Sequence, residues 1–156
     1  MWKTRRHLDA EARRHRDDAA AAYADGRLTA AATSARAALA CAERSAGPDS
    51  PAAATDARTL AAVLAALDRR AEANALYQRA LAVYRTTGLT YDAAVCLHGL
   101  ALLHADTEPG VSRARLQSAL QIKRTVLGGL HPEVAAILED MAALSALSAL
   151  SALSAA

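Results

Sequence analysis

The fold is decided by three short segments, Gly47-Pro48-Asp49-Ser50-Pro51, Gly88-Leu89-Thr90-Tyr91-Asp92 and Gly129-Leu130-His131-Pro132-Glu133. Their leading glycines are 41 residues apart in both intervals. Each segment combines a helix stop with a helix start. Glycine adopts the left-handed conformation past a helix end, and Ser50, Thr90 or His131 then precedes the next helix. Pro51 and Pro132 suit the first helical position. The spacing therefore predicts a repeat of about 41 residues.

A second set of breaks divides each repeat into two helices. These breaks lie at residues 25–27, 68–70 and 106–110. The predicted helices cover residues 4–24, 28–46, 51–67, 70–87, 91–105, 111–127 and the chain from 132 onward. Apolar residues recur in most of them at three- and four-residue spacing, as in the stripe Ala73, Leu76, Tyr77, Ala80, Leu81 and Tyr84. The chain is therefore predicted to be all-α, built from antiparallel helix pairs.

The composition supports the all-α prediction. The chain is rich in alanine, has no Phe and has one Trp. Alanine has the highest helix propensity, whereas sheets favour β-branched and aromatic residues. A length of 156 residues is enough to bury a core without disulfides. The basic residues are nearly all Arg, which together with the alanine content suggests a GC-rich bacterial genome.

Small residues recur where paired helices would cross most closely. The second repeat has Leu60-Ala61-x-x-Leu64, Ala73-x-x-x-Tyr77 and Ala80-Leu81, and the third has Leu100-Ala101-x-x-His104, Ser112-x-x-x-Leu116 and Ala119-Leu120. A period near 41 also suits HEAT or armadillo repeats, but this pattern resembles the tetratricopeptide repeat. Residues 76–84 and 129–135 are similar to the long-loop repeats of the kinesin light chain type, which are common in bacteria.

The resemblance implies an α-solenoid of about 3.5 repeats over residues 1–144. Its units are expected at about 4–46, 51–87, 91–127 and 132–144. Residues 145–156 form a Ser-Ala-Leu low-complexity extension, which is predicted to be helical at its start. Its leucines are three residues apart, so the stripe drifts by about 60° per step around a helix. We therefore expect the last turns to fray, and the tail to cap the stack or to pair with a second chain.

The resemblance also implies that the first helix of each pair lines a concave groove. With Leu60, Leu100 and Met141 as the shared position, the expected partner-binding residues are Arg13, Arg16, Tyr23, Thr55, Arg58, His98, Leu102 and Glu139. Such a groove would run from a basic to an acidic end and would suit a peptide of opposite polarity. The alternative is that these are ordinary solvated side chains. Two features of related repeats are missing: the Asn pair of kinesin light chain repeats, and the Lys/Asn carboxylate clamp, because Ala20 replaces its Asn.

The charge distribution bears on the kind of partner. The net charge is +2, too small to attract nucleic acid or a membrane over the whole surface. Residues 1–16 nevertheless carry a net charge of +4, and no Lys or Arg follows Arg124. We expect a protein or peptide ligand. The alternatives are self-assembly into a homo-oligomer, head-to-tail or through the tail, and regulatory contact of the basic first helix with a small ligand or nucleic acid. Nucleic acid is the less expected of these, because no aromatic platform accompanies the arginines.

The sequence offers no recognisable catalytic, metal or cofactor site. His98 and His104 are six residues apart, which does not place them on one helix face, and no phosphate-binding or nucleophile motif occurs. The chain is therefore expected to be no enzyme and to need no cofactor. Cys41 and Cys96 are expected to be buried thiols in a reducing compartment. Without a signal peptide or a run of 18 apolar residues, the protein is expected in the cytoplasm and not in a membrane.

Overall fold

The computed structural model describes residues 2–154, and side chains from Thr4 onward. These residues form seven helices, α1 (Trp2–Ala24), α2 (Leu28–Ala46), α3 (Pro51–Ala66), α4 (Arg70–Thr87), α5 (Thr90–Leu103), α6 (Pro109–Leu127) and α7 (Pro132–Ser154). No strand occurs in this described range. The all-α prediction is confirmed, and most of the predicted helix ends lie within two residues of the observed ones. The last two residues of the tail lie outside the described part.

The chain divides into two compact units, one up to Gly88 and one from Leu89. In the first unit α1 packs against α2, α2 against α3, and α3 against α4. In the second unit α5 packs against α6, and α6 against α7. The repeat domain that the sequence indicates over residues 1–144 stays a prediction.

Most turns between the helices have the capping residues that are usual at helix ends. The Ser50 hydroxyl caps α3 by accepting a hydrogen bond from the Ala53 N–H at 3.2 Å. Gly88 ends α4 in the left-handed conformation, with φ of 73°. Two expectations were wrong in detail: Thr90 lies inside α5 and not at its cap, and Gly128 has the positive φ, 87°, where Gly129 was expected to have it.

Alanines form the core of the first unit. Ala61, Ala73 and Ala80, which the repeat pattern places at the helix crossings, are 0% exposed. A larger side chain at these positions would push the paired helices apart. Leu64 and Tyr84 are among the largest buried side chains of this unit, and each is 1% exposed. The predicted packing role of the small residues is confirmed in this unit.

The second unit repeats this packing with one polar substitution. Ser112 occupies the position of Ala73 and is fully buried, and its hydroxyl donates a hydrogen bond to the Ala101 carbonyl at 2.7 Å. Because the hydroxyl is satisfied, burying it costs little. Ile137 brings α7 into the same core.

Helix α7 is exposed over much of its length. Leu144 is buried, but Leu147, Leu150 and Leu153 are 55%, 63% and 76% exposed. The helix continues to Ser154 and does not end in the frayed turns that the sequence suggested. By length and composition alone, α7 is apolar enough to cross a membrane, and it is the one such helix in the described part of the chain.

Candidate functional site

A cleft in the first unit lies between α1, the end of α2 and the first turn of α3. Its volume is about 410 Å³. We call it the arginine cleft, defined by its lining residues Arg5, Asp9, Ala12, Arg13, Arg16, Ala42, Ser45, Ala46 and Ala52. Three arginines of one helix thus line a single cleft. Alanine side chains on the opposite helices leave the space that the cleft occupies.

Two of these arginines are available to a ligand. Arg5 and Arg13 are exposed and make no hydrogen bond or ion pair with any residue that the structure describes. They lie eight residues apart on α1, which corresponds to about 12 Å along the helix axis. Their guanidinium groups can therefore contact two separate anionic groups.

The third arginine has a structural partner. The Nε and Nη2 atoms of Arg16 donate to the two carboxylate oxygens of Asp56 at 2.6 and 2.8 Å. Asp56 lies on α3 with its side chain 2% exposed, while that of Arg16 is 38% exposed. The hydrogen bonds to Asp56 raise the pKa of Arg16 further above its already high value. Arg16 therefore attaches α1 to α3 and presents only part of its surface to the cleft.

Asp9 opposes the arginines electrostatically. It is exposed, lines the cleft and lies four residues from both Arg5 and Arg13, yet it forms no ion pair with either. Its charge contributes to the raised pKa of Arg16. The cleft is therefore positive overall, but less so than its three arginines alone would make it.

The other predicted groove residues of the first unit differ in exposure. Tyr23 is 49% exposed. Thr55 is half-buried, and its hydroxyl accepts a hydrogen bond from the Tyr84 hydroxyl at 3.2 Å. Arg58 is half-buried on the same helix as Thr55. None of these three lines the arginine cleft, and their contact with a partner stays a prediction.

In the second unit, His98 is held by an acidic residue that the sequence analysis did not select as a site. Its Nε2 lies 2.6 Å from the Oδ2 of Asp140, and its side chain is 16% exposed. Leu102 is 48% exposed, and the side chain of Glu139, also exposed, makes no hydrogen bond or ion pair within the described residues. His98 thus links α5 to α7. The predicted contact of Glu139 with a partner stays a prediction.

A second ionic network attaches α7 to its unit. The Lys123 ammonium, on a side chain 4% exposed, lies 2.9 Å from the Glu133 carboxylate. The Tyr91 hydroxyl donates to the same carboxylate at 2.8 Å. The hydrogen bond from Lys123, and then that from Tyr91, lower the pKa of Glu133 below its ordinary value. This network joins α5, α6 and α7.

The predicted site residues do not include Arg5 and Asp9 at the cleft or Asp56 behind it. The sequence separation between Arg16 and Asp56 could have identified Asp56. Asp56 follows Arg16 by 40 residues, and Asp140 follows His98 by 42. Both separations are close to one repeat, so an arginine or histidine on one first helix meets an aspartate on the next first helix. Arg5 gave no such signal, because the first repeat matches the pattern poorly.

Within the described residues, no group of three or more His, Cys, Asp or Glu side chains is placed to hold a metal ion. Cys41 and Cys96 are buried free thiols. The described residues that line the arginine cleft include no nucleophile paired with a base. What this arrangement can do chemically is to hold anionic groups.

Comparison with known proteins gives one finding. A family model, described as the tetratricopeptide repeat, matches residues 10–86. This range includes most of the residues that line the arginine cleft. No curated protein matches the chain. The finer resemblance to repeats of the kinesin light chain type stays a prediction.

Proposed function

Since residues 10–86 belong to the tetratricopeptide repeat family, we propose that the chain is a non-catalytic scaffold that binds a protein partner at the arginine cleft of its first unit. Tetratricopeptide repeats generally mediate protein–protein interactions as scaffolds. Their helix pairs present side chains on a rigid framework, which limits the entropy lost when a partner binds.

The observation that carries this proposal is the combination of the cleft and its unengaged arginines. A volume of about 410 Å³ is in the range of ligand-binding clefts. Arginine is also enriched among the residues that dominate binding energy at protein interfaces. Arg5 and Arg13 have no partner among the described residues, so binding a partner would not require an internal ion pair to break.

A random peptide library displayed on phage tests the proposal. The full chain is used for selection, and recovered peptides are then measured against Arg5→Glu/Arg13→Glu and against Arg14→Glu. Arg14 is exposed on the same helix but does not line the cleft. We expect peptides that bind the wild type and Arg14→Glu equally and bind the double variant at least about tenfold more weakly.

Two outcomes would contradict the proposal. One is that selection recovers no peptide above background. The other is that every recovered peptide binds all three proteins alike, which would place the binding surface elsewhere. Far-UV circular dichroism of each variant checks that the helices are intact. The side chains of Arg5 and Arg13 make no hydrogen bond or ion pair among the described residues, so their substitution should leave the fold unchanged.

A second candidate function, self-association, is supported by a different observation, the exposed leucines of α7. Two of its serines have internal partners, because the hydroxyls of Ser145 and Ser148 donate to the Met141 and Leu144 carbonyls within the helix. A second copy of this helix could therefore cover the leucines without leaving these two hydroxyls unsatisfied.

The molar mass in solution, measured by light scattering, tests self-association. We expect the wild type to dimerise as its concentration rises and Leu147→Gln/Leu150→Gln/Leu153→Gln to stay monomeric. Leu130→Gln is the matched control, since Leu130 is 101% exposed in the turn before α7. A wild type that stays monomeric at all concentrations would contradict self-association. Sedimentation with lipid vesicles, lost in the triple variant, would indicate a membrane as the occupant instead.

A further inference from the structure

We propose that the arginine cleft binds an extended acidic peptide segment through two carboxylates, one at Arg5 and one at Arg13. This proposal rests on the proposed function and adds the chemistry of the partner. It is carried by three features of the cleft: the spacing of the two unengaged arginines, the engagement of the third, and the position of Asp9.

The spacing of Arg5 and Arg13 sets the length of the ligand. Eight residues of helix separate them by about 12 Å. An extended peptide rises by about 3.3–3.6 Å per residue, so two carboxylates about four residues apart cover the same distance. Each arginine presents a planar fork of donors that matches one carboxylate. A compact anion would reach only one arginine, which favours a segment with two charges.

Arg16 limits the site to two strong contacts. Both of its bonded nitrogens already donate to Asp56 at 2.6 and 2.8 Å, and that carboxylate is 2% exposed. Taking Arg16 away from Asp56 would leave a buried carboxylate without its partner, which is costly. Arg16 is therefore a wall of the cleft whose positive charge is largely compensated by Asp56.

Asp9 makes the proposal testable in both directions. Its carboxylate lies between Arg5 and Arg13 in sequence and lines the same cleft. A negatively charged ligand is repelled by it, while a ligand held by apolar contact would be indifferent to its charge. Neutralising Asp9 should therefore tighten binding of an acidic segment, whereas neutralising either arginine should weaken it.

The described residues that line the cleft favour a peptide over nucleic acid, because they offer no surface for base stacking. Single-stranded nucleic acids are usually bound by a basic groove together with aromatic side chains on which the bases stack. Among the side chains that the structure describes, from Thr4 onward, arginine, aspartate, serine and alanine line this cleft, and no aromatic residue does so. A flexible peptide with two acidic side chains needs no stacking surface.

The experiment measures affinity by fluorescence anisotropy at physiological ionic strength, using the full chain. The probe is a labelled glycine–serine peptide with two glutamates about four residues apart, and the control peptide has glutamines in their place. Arg5→Gln and Arg13→Gln should each weaken binding by about three- to tenfold, and Asp9→Asn should strengthen it about two- to threefold. Arg14→Gln should leave it unchanged.

Three results would overturn the proposal. The first is equal binding of the acidic and neutral peptides, and the second is that Asp9→Asn and one of the single arginine variants both bind the acidic peptide as the wild type does. The third is that a labelled single-stranded oligonucleotide binds more tightly than the peptide, with the same dependence on Arg5 and Arg13. The phage selection separates these failures from failure of the proposed function. If the selected peptides lack acidic residues but their binding still depends on Arg5 and Arg13, the proposed scaffold function is supported and the proposal of an acidic ligand is wrong.

Discussion

At the scale of single residues, Arg16 has two roles that the sequence did not separate. It was predicted as a groove residue because its register places it on the first helix of a pair. The structure shows that its nitrogens hold Asp56, which is 2% exposed. The burial of Asp56 could not be predicted from its own helix, because an acidic residue in an alanine-rich stretch is ordinarily solvated. Only the residue facing it from α1 makes its burial favourable.

Replacing Arg16 by methionine should destabilise the first unit. The buried Asp56 carboxylate would lose both of its charge-assisted hydrogen bonds, which should lower the free energy of unfolding by about 2–4 kcal/mol. Arg16→Met/Asp56→Leu should recover most of that loss, because an apolar pair leaves no buried charge. Urea denaturation followed by circular dichroism measures both effects.

Arg14→Met serves as the control for this pair of variants. Arg14 is exposed and has no partner among the described residues, so its substitution should change stability by less than about 0.5 kcal/mol. A single Arg16→Met variant as stable as this control would mean that the Asp56 pair contributes nothing. The cleft would then have three arginines free to bind a ligand.

At the scale of helices, the sequence predicted most boundaries closely, because glycine, proline and serine act locally at helix ends. The tail is the exception. A leucine stripe with a period of three cannot follow one groove, and fraying was the expected result. The structure continues α7 to Ser154, since alanine and leucine favour a helix wherever its side chains point. Three-dimensional packing and local helix propensity thus gave different answers for the same residues.

The attachment of α7 should depend on pH through Glu133. Its pKa is lowered below the ordinary value of 4.5, first by the hydrogen bond from Lys123 and then by that from Tyr91. A lowered folded-state pKa means that this stabilisation is fully present above about pH 4.5 and is lost as the pH falls through the folded value. Glu133→Gln should therefore be less stable than wild type at pH 7, by about 1–2 kcal/mol, and the difference should shrink below pH 4.5.

Urea denaturation at a series of pH values measures this difference. Glu139→Gln makes the same change of charge on the same helix, at an exposed residue with no partner in the described part of the chain. Its stability relative to wild type should not vary with pH between 3 and 7 by more than about 0.5 kcal/mol. A difference for Glu133→Gln that stays constant over this range would show that its ionisation does not hold α7.

At the scale of the whole molecule, the period of the glycine-led breaks and the small residues predicted the all-α repeat and its family. That prediction succeeded because Ala61, Ala73 and their equivalents are packing residues, whose identity follows from the fold. The arginine cleft was harder to predict. Arg13 is exposed and lines it, while its contact with a partner stays a prediction. Arg5 and Asp9 were not predicted, because a cleft is defined by side chains from three helices and not by one register.

The separations of the cross-repeat contacts have a consequence for how the chain is synthesised. Arg16 and Asp56 are 40 residues apart, and His98 and Asp140 are 42 apart. A ribosome adds about 5–20 residues per second, so each such partner emerges about 2–8 s after the residue that it binds. In each pair, only about one repeat of nascent chain is synthesised between the first residue and its partner. The helices can therefore be joined in order from the amino terminus.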